Sequence, residues 1–319
     1  MHKNSEANEL KITRVYDAPV AAVWEAWTDP EQVAKWWGPR GFTLTHHSKD
    51  LKPGGHWHYT MHGPDGTDYP NKTVYIEVDE YKRLVYDHGA NDDQPALFRV
   101  TVLFSEANGK TKMDMTMSFA SPEVLAHSKK VIKNADGNST WDRLAEYLEK
   151  ESTGKEKFII NRSFDVDIDT MFRAWTDPEQ VVQWSGPIGA RMEYINVDIR
   201  TGGKAFYRMP FGDIVIYCNV RYLEVKHPHC LVYIQQFANE DGSPGRHPMA
   251  PTWPQSMLTI IAFSEEGPHQ TRVTLEWEVT DEWTQEELDT FIEGKSGMSQ
   301  GWGGSFDKLE EYLGNQCDS

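Results

Sequence analysis

The chain has 319 residues, of which 39% are hydrophobic, 12% aromatic and 25% charged, a globular composition long enough for two domains. Its formal net charge is −17, with −4 carried by residues 1–150 and −13 by residues 151–319. That sign excludes nucleic acid and an anionic membrane surface as partners, because the dominant electrostatic term would be repulsive.

The first apolar alternation, Leu10 and Ile12 running on to Arg14 and Tyr16, predicts a strand that ends before Asp17. Asp17 and Pro19 then open a helix, since proline suits a first turn whose N–H groups lack partners. Val20, Val23, Trp24 and Trp27 recur at helical spacing. A second short helix starts from Asp29 as N-cap and Pro30 as first residue, with Gln32 at the capping-box position, and closes at Trp36–Trp37–Gly38–Pro39. Strands follow. Trp57, Tyr59 and Met61 alternate with His56, His58 and Thr60; Phe98, Val100, Val102 and Phe104 repeat the pattern; so do Met113, Met115, Met117 and Phe119. A closing helix carries the stripe Trp141, Leu144, Ala145 and Leu148.

The same order then repeats. AWTDPEQV stands at 26–33 and again at 174–181, and Arg14–Gly41 laid on Arg162–Gly189 gives 14 identities in 28 positions. GGHWHYTM at 54–61 matches GGKAFYRM at 202–209, which puts Ala205, Tyr207 and Met209 on the apolar face. Val273, Leu275, Trp277 and Val279 answer the methionine strand, and Trp302, Phe306, Leu309 and Leu313 answer the closing stripe. The chain is a tandem duplication. The predicted domains are 1–150 and 151–319, joined by the charged, Gly- and Ser-bearing stretch KESTGKEK at 150–157. Each copy reads as α+β: an antiparallel sheet with helix packed on one face. Segment 237–256, with four prolines, two glycines and Trp253, is far longer than its counterpart at 88–97, and is expected to form a flap at the second cavity or against the first domain.

Three cysteines, Cys218, Cys230 and Cys317, form no CxxC pair, which points to a reducing compartment and away from structural zinc. The first residues carry no apolar leader, and the longest apolar run, near Leu258–Phe263, is far short of the roughly 20 residues that span a bilayer. A cytoplasmic location is expected. His56 and His58 share one strand face, and His46, His47 and His62 are close in sequence, but no carboxylate is fixed beside them; a solvated outer face is the expectation, with no metal and no cofactor. No GxSxG elbow, HExxH, P-loop or GxGxxG string is present, so no catalytic residue is assigned.

The run D-x-P-x-x-x-V-W-x-A-W-T-D-P-E-x-x-x-x-W-W-G-P at 17–39, K-P-G-G-x-W at 52–57, R-L-V-Y at 83–86 and W-D-R-L-A-E-Y-L at 141–148 resemble the heat-shock-protein-90 ATPase activator homologue-like family of the START-like (SRPBCC) superfamily. The resemblance covers both halves. It implies two tandem helix-grip domains, each a curved antiparallel sheet around a long C-terminal helix, with an apolar cavity between them. The second copy departs from the pattern at Ser185, in place of the second Trp, and at Asp167, in place of the helix-start Pro, so its corner is expected to pack more loosely. The co-chaperone activity in the family's name belongs to proteins with a further N-terminal module whose N-x-W-H-W-x-E string is not found here.

The expected function is binding of a small hydrophobic molecule. The candidate ligand-facing residues of the first copy are Trp57, Tyr59, Met61, Met113, Met115, Met117 and Trp141. Those of the second are Tyr207, Met209, Leu275, Trp277, Trp302 and Phe306. The Tyr59 and Tyr207 hydroxyls are the candidates for orienting it. Three flexible methionines on one strand, against stiffer Val273, Leu275 and Trp277, predict the larger cavity in the first domain. The alternatives are a cyclase or aromatase acting on a polyketide-like chain, and a chaperone-linked or other protein-interaction module whose acidic second half docks a basic protein partner.

Overall fold

The computed structural model describes residues 6–89, 95–134, 136–280 and 283–317. The chain divides into two compact units, residues 1–154 and 155–319.

The first unit runs β1 (Glu9–Tyr16), α1 (Val20–Thr28), α2 (Pro30–Trp36), β2 (Thr43–Lys49), β3 (His56–His62), β4 (Asp68–Asp79), β5 (Arg83–Gly89), β6 (Phe98–Ala107), β7 (Lys110–Phe119), α3 (Pro122–Asn134) and α4 (Ser139–Thr153). Its seven strands form one antiparallel sheet in the order β1-β7-β6-β5-β4-β3-β2. The second unit repeats this with β8 (Lys157–Phe164), α5 (Ile168–Thr176), α6 (Pro178–Trp184), β9 (Glu193–Val197), β10 (Lys204–Phe211), β11 (Ile214–Lys226), β12 (Cys230–Ala238), β13 (Ser256–Gly267), β14 (Gln270–Val279), α7 (Gln285–Glu293) and α8 (Lys295–Cys317). Its sheet order is β8-β14-β13-β12-β11-β10-β9. Bulges at Tyr75/Glu77 and at Tyr222/Glu224 fall at equivalent places and bend the long central strands, which is how each sheet curves around its terminal helix.

The local chemistry matches the sequence reading. Asp29 accepts hydrogen bonds from the backbone N–H groups of Glu31 and Gln32, with Pro30 opening α2. Trp36 donates its indole N–H to the carbonyl of Ala26 at 2.9 Å, and Trp184 makes the same bond to Ala174 at 2.9 Å. At Asp167, the side chain caps α5 by accepting from Thr170, so loss of the proline is offset by a true N-cap. Helices α3 and α7 lie beyond the predicted elements; α3 is mostly polar and buries Leu125, too little apolar surface to leave a periodic signal. Helix α8 also extends further at its N-terminal end than α4 does, and that extension carries Gly297 and Gly301.

The first unit holds an ionic cluster under α4. Arg40 binds Glu146 through both terminal nitrogens, at 3.0 and 2.6 Å, with both side chains buried. Asp142 is buried beside them. Loss of water raises its pKa from 3.8 to about 7, with Glu146 and Asp136 adding repulsion and Arg14 and Arg40 opposing the rise. A folded pKa above the unfolded one means that the folded state holds the proton more tightly. The stability this group contributes is therefore complete below about pH 4 and lost as pH rises through about 7. Acidification from pH 8 to 6 is expected to raise the urea midpoint of this unit, and Asp142→Asn to flatten that slope; urea titrations of both proteins at the two pH values check it.

Candidate functional site

The second unit contains a cavity of about 600 Å³ between its sheet and α8. Several structural parts form its wall, among them α5 through Trp175, β13 through Met257 and β14 through Trp277. The inner face of β9–β12 contributes Tyr194, Tyr207, Cys218, Tyr222, Tyr233 and Gln235. The α6 corner contributes Trp184, Ser185, Gly186 and Pro187. Helix α8 and the residue before it contribute Gly294, Gly297, Met298, Gly301 and Trp302. The segment between β12 and β13 contributes His247, Met249, Ala250 and Trp253.

Register explains the sheet face. Tyr207 pairs with Tyr194 on β9 and with Cys218 on β11, and Tyr222 pairs with Tyr233 on β12. All project inward, so phenols and a thiol share one wall. Burial pushes the Cys218 thiol up to about 12 and all four tyrosines above their ordinary value. His247 is lowered by burial. No Asp, Glu, Lys or Arg belongs to the lining among the described residues. The site is therefore uncharged at neutral pH.

The cavity's origin is visible by comparing the copies. In the first unit Trp37 packs on Trp57, Tyr59 and Trp141, with ring centroids 5.3, 6.3 and 6.1 Å away, and its indole N–H donates to the Tyr59 hydroxyl at 3.2 Å. The equivalents of Trp37 and Trp57 are Ser185 and Ala205. Two indoles are thus missing from the second copy at neighbouring positions, and the sheet and helix do not close over the gap. The methionine pattern predicted the larger cavity in the first copy; the cavity described here lies in the second, at the corner where Ser185 stands in place of Trp37.

Glycines widen it further. A Cβ at Gly297 or Gly301 would meet nothing within 4 Å. Glycine inside a helix costs roughly 0.5–1 kcal/mol relative to alanine, so these positions keep space at the expense of helix stability. Gly301→Ala is expected to stabilise the domain by about that amount and raise its melting midpoint by ~2–4 °C, which calorimetry would read.

The segment after β12 is held down over the cavity. Arg246 forms an ion pair with Glu287, the capping-box residue of α7. Trp253 lies on the bare backbone of Gly294, where a Cβ would come within 2.5 Å of its ring, and sits 6.1 Å from Phe291. The Thr252 and Thr290 hydroxyls meet at 3.1 Å. Met249 is 59% exposed although it lines the cavity, which marks the mouth.

Of the predicted ligand-facing residues, Tyr207, Met209, Trp277 and Trp302 line this cavity. Leu275 and Phe306 are fully buried in the surrounding core. Trp57, Tyr59, Met113, Met115 and Trp141 are buried in the core of the first unit, with Met61 and Met117 packed against it. Sequence reasoning missed the row Tyr194, Cys218, Tyr222, Tyr233 and Gln235, and the glycines of α8. The usable signal was the pair Ser185 and Ala205 opposite Trp37 and Trp57. The His56 and His58 rings lie 4.6 Å apart, tilted at 33°, on the first sheet, and no cluster of three metal-ligating side chains occurs among the described residues. No helix among them is long and apolar enough to cross a membrane.

The family model described as Activator of Hsp90 ATPase homolog 1-like protein matches residues 17–149 and again 165–314. No curated protein matches the chain. Among solved structures, a Mycobacterium smegmatis protein is 28% identical, covering 47% of this chain and 94% of its own, with a TM-score of 0.41. A Nitrosomonas europaea protein is 24% identical, covering 47% and 99%, with a TM-score of 0.42. The di-domain ARO/CYC protein BexL, from the BE-7585A biosynthetic pathway, is 13% identical, covering 95% and 98%, with a TM-score of 0.39.

Proposed function

We propose that this chain, which belongs to the Activator of Hsp90 ATPase homolog 1-like family through both of its START-like domains, binds a small hydrophobic molecule in the second domain, between the sheet and α8. The observation that carries this reading is the uncharged cavity of about 600 Å³, within the range of drug-sized ligand sites. Tyr207, Met209, Trp277 and Trp302 would contact the ligand from sheet and helix. A ligand burying ~300 Å² of apolar surface would gain roughly 7 kcal/mol before the cost of association is subtracted. The absence of Asp, Glu, Lys and Arg from the described lining favours binding over acid–base chemistry. A cyclase- or aromatase-type reaction here would have to draw on His247 or on the phenols and thiol of the described lining.

Native mass spectrometry of the protein purified from its own cells, with a parallel titration of the neutral dye Nile red, tests the proposal. A co-purifying apolar molecule that Nile red displaces is the expected result. No adduct and no dye binding would remove it.

A further inference from the structure

On the face of β2 and β3 turned away from the first unit's core, imidazoles meet hydroxyls. His62 Nε2 lies 2.8 Å from the Thr45 hydroxyl, His47 Nε2 2.9 Å from that of Thr60, and His56 Nε2 3.4 Å from that of Ser48. Of these three imidazoles, His62 is the one that also meets a carboxylate among the described residues: its Nδ1 is 2.6 Å from Asp68 Oδ1. Strand register builds the set. His62 on β3 pairs with Asp68 on β4 and, on its other side, with Thr43 on β2, two residues from Thr45. At the equivalent places the second copy has Glu193, Pro210 and Val215. The shared fold therefore does not require these three side chains.

The carboxylate fixes the tautomer of the imidazole. An ionised Asp68 can only accept, so His62 Nδ1 carries the ring hydrogen and donates to it. In the neutral ring Nε2 then holds a lone pair, and the Thr45 hydroxyl donates to it. A hydroxyl proton is thus aimed at a base, and the base is held by a third group, which is the arrangement that activates an oxygen nucleophile. Thr45 is exposed, so a reagent can reach it. An exposed strand face offers little binding energy for an acyl chain, so the acyl donor must itself be activated.

We propose that Thr45 is an acyl-transfer nucleophile for aryl esters, with His62 as its general base and Asp68 as the residue that positions His62. The Thr45 oxygen attacks the ester carbonyl carbon while His62 Nε2 takes the hydroxyl proton. The bond from the acyl carbon to the aryl oxygen then breaks, and the leaving phenolate takes that proton from His62. Thr45 is left as an ester and His62 is neutral again. Water completes the cycle: its oxygen adds to the acyl carbon, its proton passes through His62 Nε2 to the departing Thr45 oxygen, and the carboxylic acid is released. This site lies in the first unit and is independent of the binding function proposed for the second.

Incubating the full chain with p-nitrophenyl acetate and mapping acetylated peptides by mass spectrometry tests the proposal. Thr60 is the internal control, a hydroxyl on the same sheet face with an imidazole at similar distance. Thr45 is expected to be acetylated about tenfold or more faster than Thr60. His62→Gln, and separately Asp68→Asn, should bring Thr45 down to about the rate of Thr60, and Thr45→Ser should keep the labelling. Asp68→Glu should recover part of what Asp68→Asn loses, which a merely structural role for this exposed side chain would not produce. Labelling of Thr45 no faster than Thr60 in the wild-type chain overturns the proposal whatever the variants do. So does fast labelling that persists in His62→Gln. Neither result bears on Nile red binding, which reads the cavity separately.

Discussion

Replacing Ser185 by tryptophan is expected to close the second domain's cavity and cut its affinity for any ligand by about tenfold or more. The structure contains the precedent. Trp37 holds the equivalent position in the first copy, wedged among Trp27, Trp36, Trp57 and Trp141 at centroid distances of 5.6, 5.3, 5.3 and 6.1 Å. Its N–H donates to Tyr59, and the equivalent hydroxyl, Tyr207, waits in the second copy. The added ring fills space instead of displacing core, so stability should hold or rise; filling an apolar void recovers about 24 cal/mol per Å³. Ser185→Ala separates bulk from loss of the hydroxyl and should bind as the wild type does. Nile red titration with calorimetry on the three proteins checks the prediction. Wild-type binding by Ser185→Trp would mean that ligands use another site.

Arg40→Met is expected to destabilise the first domain by about 3–5 kcal/mol, the usual consequence of removing one partner from a buried ion pair. Both side chains are nearly inaccessible, at 5% and 8%, and the contact is bidentate. Removing the guanidinium leaves Glu146 without its main counter-charge beside Asp142, which burial already disfavours as an anion. The loss should be larger at pH 8 than at pH 6, because Asp142 regains its proton in that interval. Arg40→Met with Glu146→Leu should recover most of the stability, since a well-packed apolar pair is often as stable as the ion pair it replaces. The second copy already lives without the pair: Ile188 and Glu311 stand at those positions, both exposed. Urea denaturation of the single and double variants reads the effect. A single variant within 1 kcal/mol of wild type would contradict it.

The duplication, the α+β class and the alternation on the strands around Trp57, Val100 and Met115 followed from local pattern, whereas strands β2, β4 and β5 and helices α3 and α7 did not. Repeated AWTDPEQV, alternation at Trp57–Tyr59–Met61 and capping at Asp29 are properties of neighbours in sequence, and the structure keeps each of them. The family was legible for the same reason, since its signature lies in contiguous runs. The cavity was not. Its wall draws on β9–β14, α5, α6, α8 and the segment after β12, which come together only through tertiary packing. That Gly297 and Gly301 face open space is a fact about atoms far apart in the chain. The sequence by itself determined which faces are buried. Only the tertiary structure decided where burial is incomplete, because a void depends on the summed volume of side chains from several elements, here two missing indoles, and not on the pattern of any one.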